Sequence, residues 1–324
     1  MRTFHHPTVV VSRCLGFEAC RWNGVTIPDA FVQQLEPHVT YLPVCPEVEI
    51  GLGVPRDPIR IVLVDDEPHL VQPSTELDVT KQMSSFAEEH LASLETVDGF
   101  LLKGRSPSCG IKDVRHYRGI EHGAAVAQKG AGIFGGLVLE RYPHLPVEEE
   151  GRLTNFSIRE HVLTALFTLA DFRTVKDAGT MRELVRFHSD NKLLLMAYNE
   201  RQLRLMGPLV ANPQKQPVPT VIAAYEQHLR QALARPPRRT TGINVLMHAL
   251  GYFSDKLAAA EKAFFLDTLE KYRDKKVPLS VPASLIGAWV IRFEEPYLAR
   301  QTFFAPYPED LVMISDSGKG RDLS

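Results

Sequence analysis

A chain of 324 residues is long enough for two domains, each able to bury a core of its own. With 44% hydrophobic and 23% charged residues its make-up is that of an ordinary folded protein, and no apolar run approaches the roughly 18 to 20 residues of a bilayer span, so no helical membrane span is expected. Four cysteines are too few for a disulfide scaffold, and the amino terminus has no apolar run leading to a cleavage site, so a cytoplasmic protein with reduced thiols is expected.

In the first part of the chain short β-branched runs alternate with helical stretches. Strands are expected over residues 8–11, 40–44, 60–64, 99–102 and 133–139, and apolar residues at helical spacing predict a helix over 75–94 with Thr75 as its N-cap. Such alternation builds a Rossmann-like, mostly parallel sheet covered by helices. The run Glu148-Glu149-Glu150-Gly151 reads as a polar junction. Beyond it the strand signal ends. Amphipathic stretches over 158–176, 181–210, 220–234, 244–256, 258–275 and 283–293 are separated by Pro-bearing breaks, at Asn212-Pro213, Pro217, Pro219, Arg235-Pro236-Pro237 and Pro278. The expected architecture is an α/β domain over 1–150 and an all-α domain over 151–324, ending in a disordered tail over 315–324.

Three cysteines follow the expected strands. Cys14 comes after Val9-Val10-Val11-Ser12-Arg13, Cys45 after Val39-Thr40-Tyr41-Leu42-Pro43-Val44, and Cys109 after Gly99-Phe100-Leu101-Leu102 and the segment Lys103 to Ser108. The carboxyl ends of parallel strands share one edge, where ligands collect at a topological switch point, so these thiols are candidates to meet in space. Three converging thiolates without an equal fourth suggest a metal or iron-sulfur centre with one coordination position open. For any one cysteine taken alone, a buried structural thiol is the simpler reading. Glu47, two residues past Cys45 in a loop punctuated by Gly and Pro, is a candidate general acid or base. Lys103-Gly104-Arg105-Ser106-Pro107-Ser108-Cys109-Gly110 packs hydroxyls, cations and a thiol into one segment. Cys20 follows no strand and reads as structural. Neither CxxC nor HxxxH spacing occurs, and no dinucleotide or Walker loop is present; His188 and His248 read as hydrogen-bonded helix histidines.

The segments SRCLG at residues 12–16, CPE at 45–47, GLGVPRDPIR at 51–60 and KGRSPSCG at 103–110 resemble the thiouracil desulfidase family. The segments at 187–212, 276–287 and 296–308 resemble the YbgA-like helical domain. In this order the two resemble the fused bacterial desulfidases that take sulfur from 4-thiouridine in tRNA. The resemblance implies a 4Fe-4S cluster held by Cys14, Cys45 and Cys109, with one iron open to the thiocarbonyl sulfur, and a hydrolytic reaction without net electron transfer that gives uridine and hydrogen sulfide. It implies Glu47 as the acid/base and Ser106 as a hydrogen-bonding partner of substrate, with Ser108 and Lys103 as neighbours that bind substrate. Cys20 matches no ligand of the family pattern.

Charge is divided unevenly. Residues 1–150 carry 13 Lys+Arg against 21 Asp+Glu, net -8, which leaves 24 against 18, net +6, for residues 151–324. Solvated helix faces explain a basic second half as well as a polyanion does; with the resemblance, tRNA carrying 4-thiouridine is the partner expected, with Arg201, Arg204, Arg235, Arg238, Arg239, Lys271, Arg273, Lys275 and Lys276 as candidate phosphate contacts and small thiolated pyrimidines as further substrates. No obligate protein partner is evident. The alternative is an iron-sulfur regulatory or electron-transfer protein whose helical domain binds a protein.

Overall fold

The computed structural model describes residues 2–312; the tail expected over 315–324 lies outside the described residues. Two compact units are present among the described residues, one made of residues 2–4 and 171–309, the other of residues 5–170 with 310–312.

The unit that begins at His5 is α/β. In chain order it runs β1 (Thr8–Ser12), α1 (Ala30–Leu35), β2 (Thr40–Val44), α2 (Pro46–Glu49), β3 (Arg60–Val64), β4 (Glu67–Gln72), β5 (Leu77–Asp78), α3 (Thr80–Ser93), β6 (Gly99–Leu102), β7 (Val114–Tyr117), β8 (Val126–Gly130), α4 (Ile133–Arg141) and β9 (Val147–Glu149). β1, β2, β6 and β9 form a four-stranded sheet in the order β2-β1-β6-β9, and every pairing in it is parallel. The chain passes from β1 to β2 on one side and then crosses to β6 on the other, so the carboxyl end of β1 is a switch point. The near-continuous apolar runs of β1 and β6 belong to strands covered on both faces, and Val9, Val10, Val11, Phe100 and Leu102 are fully buried. Each such side chain contributes roughly 1.5–3 kcal/mol by leaving water.

A second sheet of five strands, in the order β5-β4-β3-β7-β8, is mixed: β3 pairs parallel with β7, and the other pairings are antiparallel. The expectation of one sheet is thus corrected, because β3 belongs to this second layer. β4, β5, β7 and β8 gave no strand signal since much of one face is polar and wet.

Two further corrections have local causes. Residues 133–139, expected as a strand, begin α4. The amides at its start are satisfied by the cysteine-bearing loop, with Gly132 N donating to Gly110 O at 2.7 Å, Ile133 N to Pro107 O at 3.1 Å and Gly135 N to Ser108 O at 3.0 Å. Thr75 caps no helix: its hydroxyl donates to Gln72 Oε1 at 2.9 Å within a turn, residues 77 and 78 pair with β4, and α3 starts only at Thr80. Glu148, Glu149 and Glu150 are not a solvated junction. Glu148 and Glu149 are buried in β9, and their carboxylates take specific partners described below.

α5 (Phe156–Ala178) contains the division between the units. It is followed by α6 (Met181–Asp190), α7 (Lys192–Ala211), α8 (Val218–Leu233), α9 (Arg239–Gly251), α10 (Ala259–Arg273), α11 (Ser280–Arg292) and the short α12 (Pro296–Ala299). The stretch over 181–210, expected as one helix, breaks at Asn191, whose buried side-chain amide donates to Phe187 O at 2.9 Å and so competes with the helical ladder. Leu193, Leu246, Phe253, Phe265, Trp289 and Phe303 belong to one apolar core of this unit. Among the described residues no helix is long and apolar enough to cross a membrane.

Candidate active site

The loops that leave β1, β2 and β6 meet around a cavity of about 380 Å³ at the carboxyl edge of the parallel sheet. Register places them there: Ser12 faces Val44 across β1 and β2, and Val11 faces Leu101 across β1 and β6. Ser12 Oγ accepts from Lys103 N at 2.9 Å, and Arg13 N donates to Val44 O at 2.8 Å, so the three exits are fixed to one another by hydrogen bonds. Cys14, Cys45 and Cys109 all line the cavity, and so does Cys20, which the sequence left apart. All four are free thiols, three of them buried and Cys14 half-buried.

Their environments differ. The Cys20 thiol is in hydrogen-bonding reach of those of Cys14 and Cys45, and the contact with Cys14, together with burial, pushes it up to about 11. Cys45 is raised by its hydrogen bond with Cys20 and by burial; its thiol also faces Cys20 O at 3.8 Å. Burial pushes Cys109 up to about 12 against the opposing hydrogen bonds of Ser12 and Ser108. Among the described residues no three His, Cys, Asp or Glu side chains are grouped to hold a single metal ion. The donor set nevertheless fits a larger thiophilic core: four cysteines line one cavity, with no histidine on its wall and all four present as free thiols.

Glu47 stands on α2, directly after Cys45, and its two oxygens do different work. Oε2 accepts from Arg56 Nε at 2.9 Å and from Arg56 Nη2, and Oε1 accepts from Ser108 Oγ at 2.6 Å. Arg56 is 3% exposed at its side chain and also donates to Cys20 O at 3.0 Å and Gly53 O at 2.9 Å, so it clamps Glu47 and the Cys20 segment together. Ser108 Oγ lies 2.9 Å from Ser106 Oγ, which in turn accepts from Cys109 N at 3.1 Å. A hydrogen-bonded chain thus runs from Glu47 through Ser108, whose hydroxyl lies 3.8 Å from the Cys109 sulfur, to Ser106. Lys103 also lines the cavity, but its ammonium is held by the Glu150 carboxylate and by Gly104 O at 3.0 Å.

The loop that carries Cys109 is anchored at both ends to the end of β9. Glu150 accepts from Gly104 N at 2.7 Å, and Glu149 Oε1 accepts from Ile111 N at 2.9 Å and Lys112 N at 3.2 Å. Arg56, Ser12, Glu149 and Glu150 were given no role by the sequence reading. Arg56 and Ser12 lay inside the segments that carry the resemblance, and only their partners in space give them a task.

The basic residues of the helical unit divide into two groups. Arg239 Nη1 donates to Tyr272 O at 2.8 Å and its guanidinium lies 4.7 Å above the Tyr272 ring, which makes it part of the packing and brings the start of α9 beside the end of α10. Arg238, Lys271, Arg273, Lys275 and Lys276 are exposed at that same end. Three of them meet acids there: Lys271 pairs with Asp267, Arg273 with Glu270 and Lys276 with Asp274. Arg201 and Arg204 stand exposed on α7, the latter paired with Glu200, and Arg235 lies just beyond α8.

Two family models match separate parts of the chain. The family described as 2-thiouracil desulfurase matches residues 9–150, and the family described as a protein of unknown function, DUF1722, matches residues 192–308. The Escherichia coli protein YbgA is 28% identical over 161 residues, 49% of this chain and 95% of its own length. YbbK of Bacillus subtilis is 31% identical over 110 residues, 32% of this chain and 72% of its own. A solved structure of the [4Fe-4S]-dependent thiouracil desulfidase TudS is 28% identical, covering 45% of this chain and 93% of that one, at a TM-score of 0.36, too low for structural inference. Through residues 9–150 the chain belongs to the 2-thiouracil desulfurase family.

Proposed function

We propose that this protein is an iron-sulfur-dependent desulfidase that hydrolyses the carbon-sulfur bond of a thiolated pyrimidine, with 4-thiouridine in tRNA as its substrate. The observation that carries the reading is the sharing of one cavity by the thiols and by the Glu47-Ser108-Ser106 hydrogen-bonded chain. Cys14, Cys45 and Cys109 would hold a 4Fe-4S cluster through three ligands. When bound, such a cluster supplies a thiophilic Lewis acid for a thiocarbonyl sulfur. The chain's own groups do the rest. Arg56 holds one oxygen of Glu47, and the other, Oε1, stays on the cavity side to take a proton from attacking water, directly or through Ser108. Ser106 is placed to hydrogen-bond the pyrimidine, and Lys103, neutralised by Glu150, fixes the loop as well as lining the cavity. In the balanced reaction the carbon-sulfur double bond breaks, oxygen from water takes the place of sulfur, and both protons leave with it as hydrogen sulfide; no electrons are exchanged.

The tRNA reading is supported by the net +6 of residues 151–324 and by the exposed cations at the shared end of α9 and α10. Protein reconstituted with iron and sulfide without oxygen is expected to be brown and to convert 4-thiouridine in tRNA to uridine with one sulfide released per base. Alanine at Cys14, Cys45 or Cys109 should abolish the visible absorption while Cys20→Ala retains it. A colourless, inactive protein with stoichiometric zinc would overturn the reading, and loss of colour in Cys20→Ala with retention in Cys109→Ala would reassign the ligands.

A further inference from the structure

We propose that a basic cleft on the second sheet binds the sugar-phosphate backbone of the nucleic-acid strand whose thiolated base enters the thiol cavity. The proposal rests on the desulfidase reading for what fills that cavity, and on independent geometry for the cleft. The cleft measures about 570 Å³ and is lined by Arg60, Arg105, Arg115, Lys129, Tyr117 and Asp113 among others. Four cations against one carboxylate stand out in a stretch, residues 1–150, where acids outnumber bases 21 to 13.

Strand geometry puts these side chains together. Along β7, Val114 and His116 are buried, so Arg115 and Tyr117 project from the opposite face. Arg115 is the cross-strand partner of Lys129 on β8, and a pair of like charges side by side costs stability unless an anion joins them. Arg60 on β3 lays its guanidinium 4.8 Å above the Tyr117 ring. Asp113 approaches Lys129 only at 3.8 Å, and Arg105 and Arg115 have no ion-pair partner among the described residues. Cations interleaved with a half-buried aromatic ring are an arrangement that tracks a phosphate backbone and stacks a base.

Continuity ties this cleft to the chemistry. Pro58, Ile59, Arg105 and Pro107 line both cavities, so the two adjoin. A base seated among the thiols would leave its flanking phosphates along Arg105, Arg115 and Lys129. A free base would make none of these contacts, so the cleft selects for the polynucleotide.

The test is fluorescence anisotropy of the full chain with a labelled unmodified oligouridylate at two salt concentrations. Such binding needs neither cluster nor turnover. Replacing Arg115 and Lys129 by Glu together should weaken binding by at least about tenfold and lower the slope of log affinity on log salt by about 2. The Arg115→Ala, Lys129→Ala pair should fall between, and thermal melting of each variant reports whether it folds. Unchanged affinity in the folded variants, or no binding by the parent protein, would overturn the proposal. An effect confined to uridine 5′-monophosphate would also overturn it, since the cleft would then hold a single phosphate. Sulfide release from 4-thiouridine in tRNA by the iron-loaded parent protein is read separately: its absence with strand binding intact removes the desulfidase reading and leaves the cleft.

Discussion

Glu47 has its two oxygens committed to opposite tasks, one to the buried Arg56 and one to Ser108. Glu47→Gln keeps the shape and loses the basic oxygen. The loaded variant should therefore keep its visible spectrum while sulfide release falls by about 10² to 10⁴, the usual worth of a positioned acid or base; turnover near that of the parent would remove Glu47 from the chemistry. His161, on α5, sets a different kind of expectation. Burial pushes its imidazole down from 6.5 to about 4. A depressed value means that the fold prefers the neutral ring, so this stability is complete above 6.5 and is lost as pH falls through about 4. The loss is on the order of 3 kcal/mol. Urea unfolding at a series of pH values should show it, and His161→Gln should flatten the slope between those limits.

At the scale of the element, α4 and the Cys109 loop are one construction. A Cβ at Gly135 would meet Gly110 O at 2.3 Å and Cys109 O at 2.6 Å, both backbone atoms that cannot swing aside. Gly135→Ala is therefore expected to push α4 off the loop, to cost roughly 1–3 kcal/mol as an overpacked core does, and to impair cluster loading; iron content and melting temperature measure the two effects. The same region shows where sequence reading fails. The run Ile133-Phe134-Gly135-Gly136-Leu137-Val138-Leu139 is apolar throughout, and without alternation a buried strand and a buried helix look alike. The loop carbonyls that receive the first amides of α4 decide the matter, and they come from residues more than twenty positions earlier. By contrast β1, β2 and β6 were legible because they are covered strands bounded by turn residues, and the helical half because its apolar stripes recur between prolines. Of the second sheet only β3 was legible, since β4, β7 and β8 carry charged residues on the wet face. The thiols announced themselves by position after strands. Arg56 and the closeness of Cys20 to Cys14 and Cys45 exist only in three dimensions.

For the molecule as a whole, the basic second half raises the question of which cations are available to a polyanion. Arg239 is engaged with Tyr272, so reversing it would disturb packing and confuse the result. Arg238 and Lys275 are exposed at the same end. Converting both to Glu should weaken tRNA binding and reduce its salt slope by about 2 while the melting temperature holds; an unchanged slope would move the tRNA contact to another face.

The three consecutive glutamates that close the last parallel strand make a buckle rather than a hinge: Glu149 and Glu150 fasten the two ends of the Cys109 loop, and Glu148 is itself fastened by Arg152 at 2.7 Å. Dissection of the gene must respect that fastening. A fragment stopped at residue 150 keeps Glu148, 7% exposed, and discards Arg152, the cation that pairs with its carboxylate, leaving a buried charge uncompensated. Such a fragment should express as an unstable species that fails to retain iron, whereas one carried through residue 170 should bind it, and iron analysis of the two fragments side by side would show which boundary the molecule obeys.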